Sequence, residues 1–246
     1  MKPQHHIHLL PGDVGKTVLL PGDPGRVQFI AGFFDEAKHV ASNREYVTYT
    51  GKYKGVKISC TSTGIGCPSA SIALEELANV GAQNFIRVGT CGALQPEIKP
   101  GDIIIATAAV RGEGTSTEYI PIEYPAVADH FLTSALVASA SVLGVDFRLG
   151  VIRSHDAFYI ESPFAHGGWS SRIKKWTDIG VLAVENESSA LFVVANYRKV
   201  KAGTILVVAG NLVSGSEAED RKMLEKPLEM AIKIACESAT LLEKEE

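Results

Sequence analysis

No apolar run in this chain approaches the ~20 residues that a bilayer span needs. The N-terminus, Met1-Lys-Pro-Gln-His-His6, lacks the apolar core of a signal peptide. Basic residues are not in excess. The 24 Lys and Arg stand against 28 Asp and Glu, and the net charge of −4 gives no global positive field to draw nucleic acid or an anionic membrane. Cysteine is sparse: Cys60, Cys67, Cys91 and Cys236 form no C-x-x-C pair, and no Cys/His spacing fits a zinc site. Three of the four lie in or beside apolar stretches, where a reduced thiol behaves as a small hydrophobe. These shortages exclude a membrane protein, a disulfide-built secreted mini-protein and a nucleic-acid-coating protein. The expectation is a reduced, cytoplasmic protein without a metal site.

What remains is ordinary globular composition, 46% apolar and 21% charged over 246 residues. That length suits one α/β domain spanning 1–246, able to bury roughly 70–75% of its unfolded surface without staples. Short apolar, β-branched runs recur at Thr17–Leu20, Val56–Cys60, Asn84–Val88, Ile103–Ala108, Val181–Val184 and Thr204–Ala209, and they read as buried strands. Helical patterns lie between them at Ser69–Val80, Phe131–Leu143 and Asn186–Ala195. A last helix starts near Pro227, with Leu228, Ala231, Ala235, Ser238 and Leu242 on one face. Strand–helix alternation points to an α/β layer fold. No internal repeat or low-complexity linker interrupts it.

Three connections are rich in glycine: Pro21-Gly-Asp-Pro-Gly-Arg26, Thr63-Gly-Ile-Gly-Cys-Pro-Ser69 and Arg87-Val-Gly-Thr-Cys-Gly-Ala93. Each follows or ends an apolar strand, where open α/β sheets bind ligands. Glycine lets backbone N–H groups approach an anion, and an arginine there suits bidentate phosphate recognition. A single Gly-Asp-Pro-Gly stretch is often only a turn. Arg87 inside an apolar strand is harder to read as structural, because an unpaired buried guanidinium is costly. No G-x-x-x-x-G-K-[ST] loop and no complete G-x-G-x-x-G is present, which argues against a P-loop enzyme or a Rossmann dehydrogenase.

With Asn43-Arg-Glu-Tyr46 and Glu185-Asn-Glu-Ser188 added to these loops, the chain resembles the trimeric/hexameric nucleoside phosphorylases, enzymes similar to uridine phosphorylase and bacterial-type purine nucleoside phosphorylase. The resemblance runs from about His6 to the last helix. It implies a three-layer α/β/α subunit with a central mixed sheet, paired with a neighbour and assembled as a homo-hexamer of dimers with shared active sites. It also implies reversible phosphorolysis, nucleoside plus phosphate giving free base and ribose 1-phosphate, with phosphate as co-substrate and no cofactor. Carried over residue by residue, phosphate falls to Gly22, Arg26, Arg87 and Thr90, with Arg44 reaching in from the adjacent subunit. By itself Arg44 beside Glu45 reads as a solvated turn residue. The ribose falls to Glu187, with Arg87 and Asn186 beside it. A histidine near the N-terminus would cover the 5′-hydroxyl from the neighbour: His6 by spacing, with His5 and His8 in competition. Arg87 and Glu187 carry the catalytic roles.

The base site departs from the family. Purine-specific members carry an acid where Val208-Ala-Gly-Asn211 places Gly210. The uracil-holding Gln and Arg after a Phe-Tyr pair are replaced, after Phe158-Tyr159, by Ser162 and Phe164. A second uracil-facing arginine corresponds to Gly215, and the usual methionine under the ribose to Asn186. Base binding is therefore expected from stacking on Phe158, from the backbone at Gly92 and from Asn211, which could equally cap a turn. Fewer directed hydrogen bonds predict loose base selection, and Glu161 and Glu217 are the acids placed to change it. The leading expectation is a nucleoside phosphorylase acting on uridine. Alternatives are a purine nucleoside or methylthioadenosine phosphorylase and a non-catalytic nucleoside-binding protein. A nucleosidase would not need Arg26, Arg44 and Arg87 together.

Overall fold

The computed structural model describes residues 2–159, 169–218 and 220–244. Its strands are β1 (Thr17–Leu20), β2 (Asp35–Asn43), β3 (Tyr46–Tyr53), β4 (Val56–Thr61), β5 (Asn84–Ala93), β6 (Ile103–Gly112), β7 (Ala126–Val127), β8 (Arg148–His155), β9 (Ala183–Glu185) and β10 (Lys201–Asn211). The helices are α1 (Pro24–Ala31), α2 (Cys67–Asn79), α3 (Thr115–Tyr119), α4 (His130–Val142), α5 (Trp169–Asp178), α6 (Ser188–Arg198) and α7 (Glu225–Lys244).

All ten strands join one mixed sheet in the order β10-β6-β8-β9-β5-β1-β4-β3-β2, with β7 on β6. Strand β10 also pairs with β5, so β5, β10, β6, β8 and β9 close into a ring and the sheet curls on itself. One apolar cluster packs α2 and α6 on one face, through Leu74, Leu77, Leu191 and Phe192. A second packs α1, α4 and α7 on the other, through Val27, Leu132, Leu136, Ala231 and Ala235. That is the three-layer α/β/α arrangement that the family resemblance implies. A smaller cluster sets α5 against the ring, with Ile173 and Trp176 on Val110, Val184 and Leu212.

The six expected strands and four expected helices are all found, and their register positions the site. Strands β4, β1 and β5 lie side by side and parallel, so the segments that follow Leu20 and Thr61 emerge at the same sheet edge toward which β5 runs. Pairing of Leu20 with Arg87 and of Thr204 with Arg87 sets that arginine between β1 and β10. The stretch Arg87–Ala93 is not a loop, because β5 continues through it to Ala93. Strands β2 and β8 carry no apolar signature: β2 is mostly exposed, and β8 alternates Arg148, Arg153 and His155 with small or apolar residues.

Candidate active site

The first glycine connection turns sharply into α1. Asp23 caps the helix through Oδ1, accepting from Gly25 N at 2.9 Å, and Pro24 fills the first turn. Arg26 follows, half-buried, and no described carboxylate forms an ion pair with it. Burial and the nearby Arg87 cation both lower its pKa, with Asp23 partly offsetting them. The second glycine connection lies against the first. Thr63 N donates to Pro21 O at 2.9 Å and Gly64 N to Gly22 O at 2.9 Å. A Cβ at Gly22 would stand 3.1 Å from Gly64 O, so a bare Cα is what allows this approach.

Below the loops sits a buried charge cluster. Arg87 Nε donates to Glu185 Oε2 at 2.9 Å, and Arg87 Nη2 contacts Glu187 Oε2. Glu187 Oε1 accepts from Gly66 N at 2.7 Å, and Gly66 at φ +97° caps α2. Burial opposes the Arg87 charge, but the two carboxylates outweigh it and raise the guanidinium's pKa. Glu187 is pushed up, by burial first and by the neighbouring Glu185 carboxylate, against the pull of Arg87.

The loops and the cluster wall a cleft of about 560 Å³. Gly22, Arg26, Arg87, Thr90, Phe158, Asn186 and Glu187 line it, together with Gly64, Gly89 and Glu185. Seven of the residues singled out in the sequence therefore meet at one cavity. Gly89 is bare because a Cβ there would come within 2.9 Å of Arg87 Nη2.

Four others stand apart from its walls. Asn211 is fully engaged, capping its own turn and tying it to the Gln95–Ile98 segment. Its Nδ2 donates to Gln95 O at 2.8 Å and Ile98 O at 2.7 Å, and its Oδ1 accepts from Val213 N and Ser214 N. It acts as the cap of that turn, and a base could take its amide only by breaking these bonds. Gly92 packs under Leu212, whose Cδ1 would lie 3.3 Å from a Cβ there. His6 and Arg44 do not line the cavity of their own chain, but they lie together. Asn43 Nδ2 donates to His6 O at 2.7 Å, beside the exposed Arg44 at the β2–β3 turn. The N-terminal segment is not frayed: Glu76 accepts from the backbone N–H of His6 and Ile7, both at 2.9 Å, and from His6 Nδ1 at 2.8 Å. Residues 160–168, which contain Glu161, Ser162 and Phe164, lie outside the described part of the chain. Glu217 is exposed and bridges to Gly210 through the backbone.

Glu185 had no role among the sequence expectations. Its side chain accepts from Arg87 Nε, Ser154 Oγ and the backbone N–H of Glu187 and Ser188. A second acid two residues from Glu187 at a strand end, near a buried arginine, was the available signal. Cys67, Glu113 and Asp156 also converge. All three are engaged within the protein: Cys67 Sγ donates to Asn186 O at 3.1 Å, Glu113 accepts from Ser116 and Ser189, and Asp156 accepts from Gly114 N. Burial also keeps the Cys67 thiol protonated.

A sequence profile of the phosphorylase superfamily matches residues 16–244. The chain is 50% identical to a uridine phosphorylase of Thermococcus kodakarensis over 86% of its length and 78% of that protein's. It is 42% identical to a guanosine phosphorylase of Halorubrum lacusprofundi over 98% and 100% of the two chains. It superposes on a uridine phosphorylase from Vibrio fischeri with a TM-score of 0.90 at 36% identity, each chain covered to 98%.

Proposed function

The chain belongs to the phosphorylase superfamily, and from that premise we propose that it is a nucleoside phosphorylase, a pentosyltransferase with uridine as its leading substrate. The observation that carries this reading is one cleft holding an arginine without a carboxylate partner among the described residues, a second arginine balanced by two buried acids, and glycine loops with little side-chain bulk. Phosphate supplies the negative charge that Arg26 lacks. It lies on the Gly22 loop between Arg26, Arg87 and Thr90, where fixed donors stabilise it without reorganisation. Glu187 accepts from the ribose diol and orients C1′ toward the phosphate. As the glycosidic bond lengthens, positive charge grows on the ribose and the bound phosphate offsets it. Glu185 holds Arg87 in place. The chemistry calls for phosphate as co-substrate and for no cofactor.

His6 and Arg44 complete the site of a neighbouring subunit in this reading, since they share one patch yet line no wall of their own cleft. The assembly is a dimer or a ring of dimers up to a hexamer. Among the described residues no helix is long and apolar enough to cross a membrane, consistent with work on soluble nucleosides in the cytoplasm. A guanosine activity is the second reading, favoured by the full-length relative that bears that name.

The deciding experiment is product analysis with uridine, guanosine, inosine and methylthioadenosine, each with and without phosphate. Base and ribose 1-phosphate should appear only with phosphate, fastest from uridine. Base released equally well without phosphate, or no turnover of any of the four, overturns the proposal. Glu187→Gln should slow uridine far more than 2′-deoxyuridine, because its carboxylate accepts from the diol.

A further inference from the structure

Glu76 lies on α2, outside the cleft, and the phosphate and ribose roles do not use it. Its side chain is 12% exposed and turns to the N-terminal segment. Oε2 accepts from the backbone N–H of His6 and Ile7, both at 2.9 Å. Oε1 holds the His6 ring, with Nδ1 at 2.8 Å. Burial pushes the Glu76 carboxyl up, but the Ile7 and His6 N–H groups and the imidazole outweigh it and hold its pKa below the ordinary value. Glu76 is therefore a carboxylate, which can only accept. The bond then requires that Nδ1 carry the ring proton. In a neutral imidazole that leaves Nε2 as a bare acceptor.

Anchoring the terminus needs only the two backbone bonds, and the third fixes the ring. The groups around the ring are engaged elsewhere. Asn43 Nδ2 donates to the His6 carbonyl at 2.7 Å, and Tyr46 OH donates to Ser69 O at 3.1 Å. Nε2 meets no partner among the described residues and is not sealed off, the side chain being 31% exposed. The free nitrogen is open to a group from outside its own subunit, on the patch that also carries Arg44.

We propose that Glu76 is a positioning residue that sets the His6 proton on Nδ1, so that the neighbouring subunit's cleft reads the nucleoside 5′ substituent as a hydrogen-bond donor. The inference rests on the phosphorylase reading, with His6 serving a neighbour's cleft, and it narrows the substrate class. A 5′-hydroxyl or 5′-amino group has a proton for Nε2. A 5′-halide or a 5′-methylthio group presents only lone pairs and leaves that acceptor unpaired. Glu76→Gln inverts the pattern while keeping the anchor. One oxygen still accepts from the backbone, and the amide N–H turns to Nδ1 and moves the ring proton to Nε2.

The test uses the assembled full-length protein at about pH 8.5, well above the ordinary imidazole pKa of ~6.5. Nitrogen NMR of ring-labelled histidine, with the His6 signal assigned by its loss in His6→Ala, should find the proton on Nδ1 in wild type and on Nε2 in Glu76→Gln. In wild type, kcat/KM for 5′-amino-5′-deoxyuridine should stay within about threefold of uridine, and 5′-fluoro-5′-deoxyuridine should fall ~10-fold or more, as low as 5′-deoxyuridine. Glu76→Gln should shrink the amino-over-fluoro preference by ~10-fold with the phosphate KM within about twofold, and His6→Ala should erase that preference. A uniform loss on all four substrates in Glu76→Gln, or a wild-type ring protonated on Nε2, overturns the inference and leaves Glu76 as an anchor only. If Glu76→Gln does not assemble, the wild-type proton position and the analogue series decide. A proton on Nδ1 in a protein that cleaves no nucleoside overturns the phosphorylase reading alone. Phosphorolysis of uridine with equal rates on the amino and fluoro analogues overturns this inference alone.

Discussion

Removing Arg87 would leave Glu185 and Glu187 buried side by side without their cation. Breaking such a pair from one side costs ~3–5 kcal/mol, so Arg87→Ala should lose stability together with activity. Arg26 separates the two effects, because it is half-buried and holds no described carboxylate. Arg26→Ala should raise the phosphate KM by about tenfold or more and leave the melting temperature nearly unchanged, as steady-state kinetics and thermal melts would show. A large drop in melting temperature would mean that Arg26 is structural. His155 gives a pH signature. It stays neutral in the fold down to about 4, whereas an unfolded histidine titrates near its ordinary value of 6.5. The folded state therefore loses stability relative to the unfolded chain as pH falls from 6.5 toward about 4. Arg153, Arg172, Asp156 and Glu185 set its surroundings and act together. Wild type should lose stability over that window more steeply than His155→Asn, and parallel melting curves would contradict the buried neutral imidazole.

Helices α1 and α2 begin where strands β1 and β4 end, and each uses its first residues differently. Asp23 caps α1 with its side chain, while Gly66 caps α2 with no side-chain bond and turns its N–H to Glu187. Its φ of +97° is one that an L side chain rarely adopts. Gly66→Ala should cost ~1–3 kcal/mol in chemical denaturation and should turn the N–H away from Glu187. Activity on ribonucleosides should then fall more than the stability loss accounts for. An alanine variant with native kinetics would show that the backbone at position 66 does not position the carboxylate. The β2–β3 hairpin belongs to this scale too. Arg44 sits at its turn with φ +53°, away from its own cleft, which suits a residue presented to a neighbour.

On the scale of the whole molecule, the parallel β4-β1-β5 strip gathers the site at one sheet edge, and the closed β5-β10-β6-β8-β9 ring brings β8 beside it. In the proposed reading a second subunit supplies His6 and Arg44 to the cleft. Subunits carrying Arg44→Ala mixed and reassembled with subunits carrying Glu187→Ala should regain activity that neither has alone, since hybrid interfaces pair an intact cleft with an intact hairpin. Sedimentation should find a dimer or larger species. A fully active monomer would contradict the shared site.

The amino-acid sequence by itself determined the α/β class and most strands and helices, and the family resemblance picked out seven residues that line the cleft. Apolar β-branched runs mark strands buried on both faces; Gly22 follows β1, Arg87 and Thr90 interrupt the apolar run of β5, and Glu187 follows β9. Strands β2 and β8 were illegible because one lies exposed and the other carries arginine and histidine toward α5. Asn211 looked available for a base, and only its four hydrogen bonds showed it closing a turn. Glu185 and the Glu76–His6 contact depend on pairings between segments far apart in the chain, 98 residues apart for Arg87 and Glu185 and 70 for His6 and Glu76. Local sequence records which side chains are present. Which of them are buried together, and which polar atoms are left without partners, is decided only when the sheet curls closed and α5 covers it.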